Sequence, residues 1–507
     1  MNQWSDKFVL VLGLGETGLS LVRWLNAQGA SLRVADSRPV PPGIDVLRDS
    51  LPQVEVHCGA AFGEALLDGI DLVAISPGVP LRDPFVQQAM ARGIPVVGDI
   101  ELFAQHIRGQ QASAGTLSPT LSGGTTSQIA GYREGRGGES EKRPFVLAIT
   151  GSNGKTTVTA MVEHLCKAAG KDAVAAGNIS PAVLDVVLQR GEKQPDVWVL
   201  ELSSFQLETT FSLEADAAVM LNISEDHLDR YSGMDDYVAA KARIFGGNGV
   251  QVLNRDDARS MGMALAGRTC VTFGQGAVPL KAADGWNGME SNSDPEGDFG
   301  IERHAGSIWL VQGGERLLKA DELQVSGLHS ICNAMAALAL CRAIGLPMHR
   351  LLAALRSFKG LPHRVERVAE IGGIAYYDDS KGTNVGATVA ALRGIGGKVV
   401  LIAGGEGKGQ NFAPLKPAVA EHGRAVVLIG RDGPLIAAAL GDCGVPFMRA
   451  NDMRDAVRQA SQFALSGDAV LLSPACASFD MFRNYVHRAE MFVEAVHELE
   501  KESEWSL

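Results

Sequence analysis

The sequence predicts an α/β protein of three domains, each built on a mostly parallel sheet. Three observations carry that reading. At 507 residues the chain has room for three cores, on a scale of roughly 150 residues per domain. Short apolar runs typical of buried parallel strands restart three times, near residues 8, 145 and 374, and alternate with helix-length stretches. Two of these restarts run straight into glycine-rich turns that open a helix, the arrangement by which such sheets approach phosphate groups.

Residues 1–109 form the first unit. The run FVLVL at residues 8–12 passes through Gly13-Leu-Gly15-Glu-Thr-Gly18 into a helical stretch over residues 19–28, and a second strand at residues 31–35 ends at Asp36. G-x-G-x-x-G followed about 20 positions later by an acidic residue is the dinucleotide-binding pattern of a Rossmann-like domain. Many phosphate-binding loops share those glycines, so the motif alone names no ligand. DLVAIS at residues 71–76 adds a further strand.

Residues 110–143 break the rhythm, with 7 Gly, 5 Ser and 4 Thr among 34 positions. So little apolar side chain predicts a flexible insertion, with a partner-binding segment as the alternative.

The unit over residues 144–360 reads as a P-loop ATPase-like parallel-sheet domain. A strand at residues 145–150 leads into Gly151-Ser-Asn153-Gly154-Lys155-Thr156-Thr157, and a helix follows from Val158. The glycines let backbone N–H groups approach phosphate oxygens, Lys155 can reach the terminal phosphates, and the Thr156 hydroxyl can ligate Mg²⁺. Strands at residues 197–202 and 217–222, a helix at 333–344 and a surface loop at 285–300 complete the unit. Glu201 and His227 follow strand ends, where ligands gather in open α/β sheets, and both can ligate a metal. Singly, each reads as a surface group, and Lys241 as an ordinary helix lysine.

After Gly360-Leu-Pro-His-Arg364 come strands at residues 374–377, 399–403, 425–429 and 469–472, predicting a second Rossmann-like α/β domain over residues 361–507. Composition narrows the function. The 46 Lys and Arg against 58 Asp and Glu leave a net charge of −12, which implies no broad nucleic-acid surface. No apolar run approaches the roughly 18 residues of a membrane span, and the charged, glycine-bearing start is unlike a signal peptide. Seven scattered cysteines without a C-x-x-C pair predict reduced thiols in a cytoplasm.

Taken together, the strings GSNGKTT, ELSSFQLE, NISEDHLDRY, Lys241, GLPHR, DDSKGTN and LLSPACASFDMF resemble the Mur ligase family over nearly the whole chain apart from residues 110–143. The string DDSKGTN at residues 378–384 resembles the branch that adds D-glutamate. The resemblance implies an ATP-dependent ligase acting, as a monomer, on UDP-N-acetylmuramoyl-L-alanine and D-glutamate through an acyl phosphate, in peptidoglycan precursor synthesis. It places Gly151, Asn153, Gly154, Lys155, Thr156, Thr157, Asn333, Arg364 and Asp379 at ATP. Thr156, Glu201, His227 and Lys241 would serve two Mg²⁺ sites, with Lys241 carbamylated; Lys155, His227, Lys241 and Arg364 would be catalytic. Thr17, Asp36, Ser37, Arg38, Ser76 and Asn178 would hold the UDP-sugar, and Thr383, Lys408, Ser478 and Tyr485 the glutamate. Ser330 and Ser180 depart from the Asn and Gly common in relatives, and Tyr485 stands at an aromatic position often filled by Phe. Two other readings compete. An NAD-dependent oxidoreductase on Gly13, Gly15, Gly18 and Asp36 leaves Lys155, Glu201 and His227 unexplained, and a nucleotide switch has no use for Thr383, Lys408 and Ser478.

Overall fold

The computed structural model describes residues 4–59, 62–113, 143–227, 230–278, 292–293, 297–325 and 327–504. The predicted insertion at 110–143 and loop at 285–300 lie mostly outside the described residues.

The first sheet contains β1 (Phe8–Leu12), β2 (Ser31–Asp36), β3 (Glu55–Cys58), β4 (Leu72–Ile75) and β5 (Val96–Val97), all parallel in the order β3-β2-β1-β4-β5. Winding reverses between β1 and β4, so a crevice opens beyond their carboxyl ends, at Gly13 and Ser76. Val9, Leu10 and Val11 are completely buried, because helices cover both faces of a parallel sheet.

The central sheet contains β6 (Phe145–Thr150), β7 (Ala173–Gly177), β8 (Val197–Glu201), β9 (Ala217–Met220), β10 (Val250–Asn254), β11 (Thr269–Phe273) and β12 (Asn292–Ser293). Its order is β12-β11-β10-β9-β6-β8-β7, again parallel. β6 sits between β8 and β9, so the turn after β6, the end of β8 and the segment after β9 converge at one edge. An antiparallel meander of β13 (Phe299–His304), β14 (Ser307–Gln312) and β15 (Glu315–Lys319) follows. The sequence reading did not anticipate it; β13 starts inside the expected surface loop, where Phe299 is wholly buried.

The third sheet contains β16 (Glu366–Ile371), β17 (Ile374–Asp378), β18 (Val399–Gly404), β19 (Gly423–Ile429), β20 (Phe447–Arg449) and β21 (Ala469–Leu472), in the order β16-β17-β21-β18-β19-β20. All pairings are parallel except that of the edge strand β16 with β17.

The first and central units share packing. The helix Asp99–Ser113 runs past residue 109, and Phe103 packs edge-on against Trp198 of β8 with ring centroids 5.0 Å apart. That helix therefore belongs physically to both sheets. All seven cysteines are free thiols.

Candidate active site

Between the central and third sheets lies a cavity of about 1480 Å³. Its lining brings together Asn153, Gly154, Lys155, Thr156, Thr157, Asn178, Glu201, His227, Lys241, Asn333, Arg364, Asp379, Thr383, Lys408 and Tyr485. Residues spread over more than 300 positions of sequence thus meet in one space. Ser478 does not join them. It is 3% exposed and lies outside the lining, its carbonyl accepting from the Phe482 N–H at 2.8 Å. Gly151 also stands behind the lining.

The phosphate loop is shaped by its neighbours. Gly154 sits at φ +84°, and a Cβ there would lie 2.7 Å from Asn333 Oδ1, so glycine alone fits. Beyond it the helix Lys155–Ala168 presents its N-terminus to the cavity. Asn222, after β9, clamps the loop: its Oδ1 accepts from Asn153 N–H at 2.8 Å and its Nδ2 donates to the Asn153 carbonyl at 3.0 Å. Lys155 Nζ donates to the carbonyls of Gly151 and Ser152 at 2.9 and 3.0 Å, which curls the amine over its own loop. Burial pulls the Lys155 amine below the ordinary lysine range, against the pull of Glu201 and Asp226.

Glu201 is 2% exposed. One carboxylate oxygen accepts from Asn178 Nδ2 at 2.9 Å, and the other, Oε2, is buried without any hydrogen-bond partner. A buried anionic oxygen without a donor is costly unless a cation faces it. His227 lies across the cavity lining at φ +55°, its ring 4.7 Å from that of Phe205. Burial lowers its pKa against the opposing pull of Asp226, 3.7 Å away, and Lys408, Lys155 and Lys241 add to the lowering, which favours the neutral imidazole that binds metals. An acidic oxygen in want of a cation and a neutral imidazole in one cavity fit a divalent metal.

Lys241, on the helix Met234–Ala242, is 1% exposed. Its Nζ donates to the Gly151 carbonyl at 2.8 Å and to Thr150 Oγ1 at 3.3 Å, and lies 4.9 Å from the Tyr237 ring centroid. Burial and then the charge of Lys155 drive its pKa well below the usual value. This is no surface lysine.

From the third sheet, the segment after β17 reaches across. Asn384 Nδ2 donates to Asn153 Oδ1 at 2.9 Å, tying that segment to the phosphate loop, while Asn384 Oδ1 caps the helix Val385–Gly394. Burial pushes Asp379 up to about 7, although Ser473 Oγ donates to it at 2.7 Å and Arg364 lies close. Lys381 Nζ sits 3.9 Å from the Tyr485 ring centroid. Asn222, Asp226, Lys381 and Asn384 line the cavity without having been singled out from sequence. All four lie inside the strings that carry the resemblance, Asn222 and Asp226 in NISEDHLDRY and Lys381 and Asn384 in DDSKGTN, but none of them received a role of its own there.

A second cavity of about 550 Å³ opens at the crevice of the first sheet, lined by Gly13, Gly15, Thr17, Asp36, Ser37, Arg38 and Ser76. Asn178, Ile179 and Ser180 line both cavities, so the two adjoin. A Cβ at Gly18 would fall 1.9 Å from the Gly13 carbonyl oxygen, which makes that glycine obligatory for the turn. Asp36 braces rather than reaches: Oδ2 accepts from Leu14 N–H at 2.7 Å and Arg38 Nη2 at 2.6 Å, and Oδ1 from Arg38 N–H and Nε at 2.8 Å each. Ser76 Oγ donates to the Gly13 carbonyl at 2.8 Å and braces the same turn.

Burial raises the Asp36 carboxyl, but the Arg38 guanidinium and the two backbone donors outweigh it and hold the pKa at about 2. A carboxylate held below its unfolded value adds stability above that value and loses it as pH falls through about 2. Asp36→Asn is therefore expected to weaken protection of the Leu14 amide by about 2 kcal/mol at pH 7 in hydrogen exchange. The gap to wild type should hold down to about pH 4 and narrow towards pH 2. Equal protection in both proteins at pH 7 would count against the brace.

Comparison with known proteins agrees with this architecture. Family models match in three parts: "Mur ligase MurD-like, N-terminal domain" over residues 7–98, "Mur ligase middle domain" over 149–341, and "Mur ligase, glutamate ligase domain" over 363–476. The chain is 55% identical to the UDP-N-acetylmuramoylalanine--D-glutamate ligase of Nitrosospira multiformis, over 97% of this chain and 95% of that one. It is 52% identical to the protein of the same name from Methylobacillus flagellatus, over 99% of each. Among solved structures, UDP-N-acetylmuramate-alanine ligase MurC from Thermotoga maritima shares the fold, with a TM-score of 0.55 at 18% identity over 97% of this chain and 99% of that one. With relatives above half identity along almost its full length and all three parts matched in order, the chain belongs to the Mur ligase family.

Proposed function

We infer that this chain is an ATP-dependent ligase that joins D-glutamate to the alanyl carboxylate of UDP-N-acetylmuramoyl-L-alanine, in the cytoplasmic synthesis of peptidoglycan precursors. The observation that carries the reading is the pair of adjoining cavities. The smaller has a glycine-rich turn suited to a diphosphate, and the larger joins a phosphate loop and metal donors to cationic residues of the third sheet. Relatives of that name, identical at about half of all positions, support the substrates. Residues 1–109 would take the UDP-sugar, 144–360 ATP, and 361–507 glutamate.

In the first step an alanyl carboxylate oxygen bonds to the γ-phosphorus of ATP, and the bond to the β–γ bridging oxygen breaks to release ADP. The amine of D-glutamate then bonds to the carbonyl carbon of the acyl phosphate. The amine gives up a proton to water, the carbonyl re-forms, and cleavage of the carbon–oxygen bond frees inorganic phosphate. The first step brings two anions together, so the site must neutralise charge while holding them in line. Lys155 would lie on the terminal phosphates and Arg364, from the third unit, beside them, while Asn178 orients Glu201. Thr156, Glu201, His227 and a carbamylated Lys241 would hold two Mg²⁺ ions, which supply charge neutralisation when bound. Asn333 would face the adenine and Asp379 the ribose. Thr383, Lys408 and Tyr485 would receive the two glutamate carboxylates, while Ser478 shapes the loop behind them.

The test is phosphate release from ATP with UDP-N-acetylmuramoyl-L-alanine and each of D-glutamate, L-glutamate and diaminopimelate. Turnover with D-glutamate alone is expected; turnover only with another acceptor would overturn the reading. For the acceptor pocket, Lys408→Ala removes an ammonium donor from a carboxylate. A lost charge-assisted hydrogen bond of about 1.5–3 kcal/mol raises the KM for D-glutamate by about 10- to 150-fold. Affinity for the UDP-sugar should stay unchanged. The reverse pattern would remove Lys408 from the acceptor pocket.

A further inference from the structure

The two cavities adjoin at Asn178–Ser180, yet a second connection runs between them through Arg230. Its side chain is only 10% exposed. Nη1 donates to the Pro77 carbonyl at 2.8 Å and Nη2 to the Val79 carbonyl at 3.4 Å. Pro77, Gly78 and Val79 line the smaller cavity, and their loop is held to the glycine turn because Val79 N–H donates to Ser76 and Ser76 Oγ to Gly13. The same guanidinium pairs with Glu208 at 2.8 Å, which fixes its plane. It lies 4.0 Å from the Phe205 ring centroid, and Phe205 in turn contacts the His227 ring at 4.7 Å. Thus a planar cation bonded to the wall of one cavity lies over an aromatic ring whose other contact, tilted by 59°, is a metal-donor imidazole of the other.

We propose that Arg230 is a positioning residue that couples occupancy of the sugar-nucleotide cavity to the orientation of His227. The inference rests on the ligase reading above for the identity of the two ligands. Ligand on the loop at residues 77–79 would hold the carbonyls that fix the guanidinium. The guanidinium then fixes Phe205, and Phe205 limits the rotation of His227. Because coupling between sites is reciprocal, Mg²⁺ at His227 should in turn tighten the sugar nucleotide. Neither lysine nor methionine can reproduce the fork onto two carbonyls together with the cation held over the Phe205 ring.

The experiment is calorimetric binding of UDP-N-acetylmuramoyl-L-alanine to protein holding a non-hydrolysable ATP analogue, once with Mg²⁺ and once with EDTA. In wild type the affinity ratio is expected to be about 5 to 150, the usual range of coupling factors. In Arg230→Lys, Arg230→Met and Phe205→Leu the ratio should fall towards 1, while affinity in EDTA stays within about threefold of wild type. Phe205→Leu leaves the bonds of Arg230 to the loop in place, so it tests the relay even if the arginine variants fold poorly. A wild-type ratio of 1, or a ratio that survives in Phe205→Leu, overturns the proposal. Wild-type phosphate release, measured alongside, separates this outcome from failure of the ligase reading, which would remove turnover itself.

Discussion

Lys155→Met is expected to lower kcat for ATP-dependent phosphate release by at least about 10²- to 10³-fold, while the protein keeps or gains thermal stability. The amine is held over the phosphate loop by the Gly151 and Ser152 carbonyls, at the N-terminus of the helix that follows. It is thus preorganised where charge shifts from the γ-phosphoryl group towards the leaving oxygen, and removing one such donor costs about 3–4 kcal/mol of transition-state stabilisation. Stability should move the other way. Burial lowers the Lys155 pKa, so the fold disfavours its charged form, and a methionine of similar length relieves that cost at neutral pH. Single-turnover phosphate release and a thermal melt read the two effects separately. A variant that keeps kcat would remove Lys155 from the phosphoryl-transfer site. One that loses activity and melts early would make the residue structural.

Much of this site was legible in sequence for a physical reason. Parallel strands buried on both faces are continuous apolar runs, and ligands collect where they end. Hence β1, β6 and β8 stand out, and with them the Gly13–Gly18 turn, the phosphate loop and Glu201. β16, at an exposed antiparallel edge, mixes the charged Glu366, Arg367 and Glu370 with Val368, Ala369 and Ile371 and gives no such run. The meander β13–β15 was missed because its signal is split among short strands carrying Arg303, His304, Arg316 and Lys319.

What the sequence could not convey was which side chain a loop turns towards the cavity. Glu201 ends β8 and faces the cavity, whereas Ser478, in the segment after β21, packs behind the lining. Asn222 and Asn384 are amides in loops with no periodic neighbours, and only the folded chain brings both onto Asn153. Asp36 had the spacing of a ligand-binding acid, but its oxygens are taken by Leu14 and Arg38. Spacing tells that an acid is near a phosphate turn; only the hydrogen-bond census tells what it has left to offer.

The same census bears on Lys241, whose substitution is expected to be nearly as damaging as that of Lys155. A lysine 1% exposed, with no carboxylate in ion-pair contact among the described residues, is held on a carbonyl and a hydroxyl, neither of which balances a charge. Burial and the nearby charge of Lys155 favour the neutral amine, which alone carries the lone pair needed to attack CO₂. In that reaction the nitrogen would bond to carbon, one C–O π pair would move onto oxygen, and a proton would leave to water, giving an anionic carbamate. That anion would face Lys155 and offer oxygen to a cation, so the cost of a buried amine turns into a favourable charge arrangement. Lys241→Ala should therefore fold, melt no earlier than wild type, and lose kcat by about 10²-fold or more at limiting Mg²⁺. Intact-mass measurement under native conditions should find wild type heavier by one CO₂ in bicarbonate buffer, and Lys241→Ala without the addition. Stripping dissolved CO₂ should reduce wild-type turnover reversibly. Full activity of Lys241→Ala, or wild-type activity indifferent to CO₂ with no added mass, would leave Lys241 as an unmodified brace on Gly151.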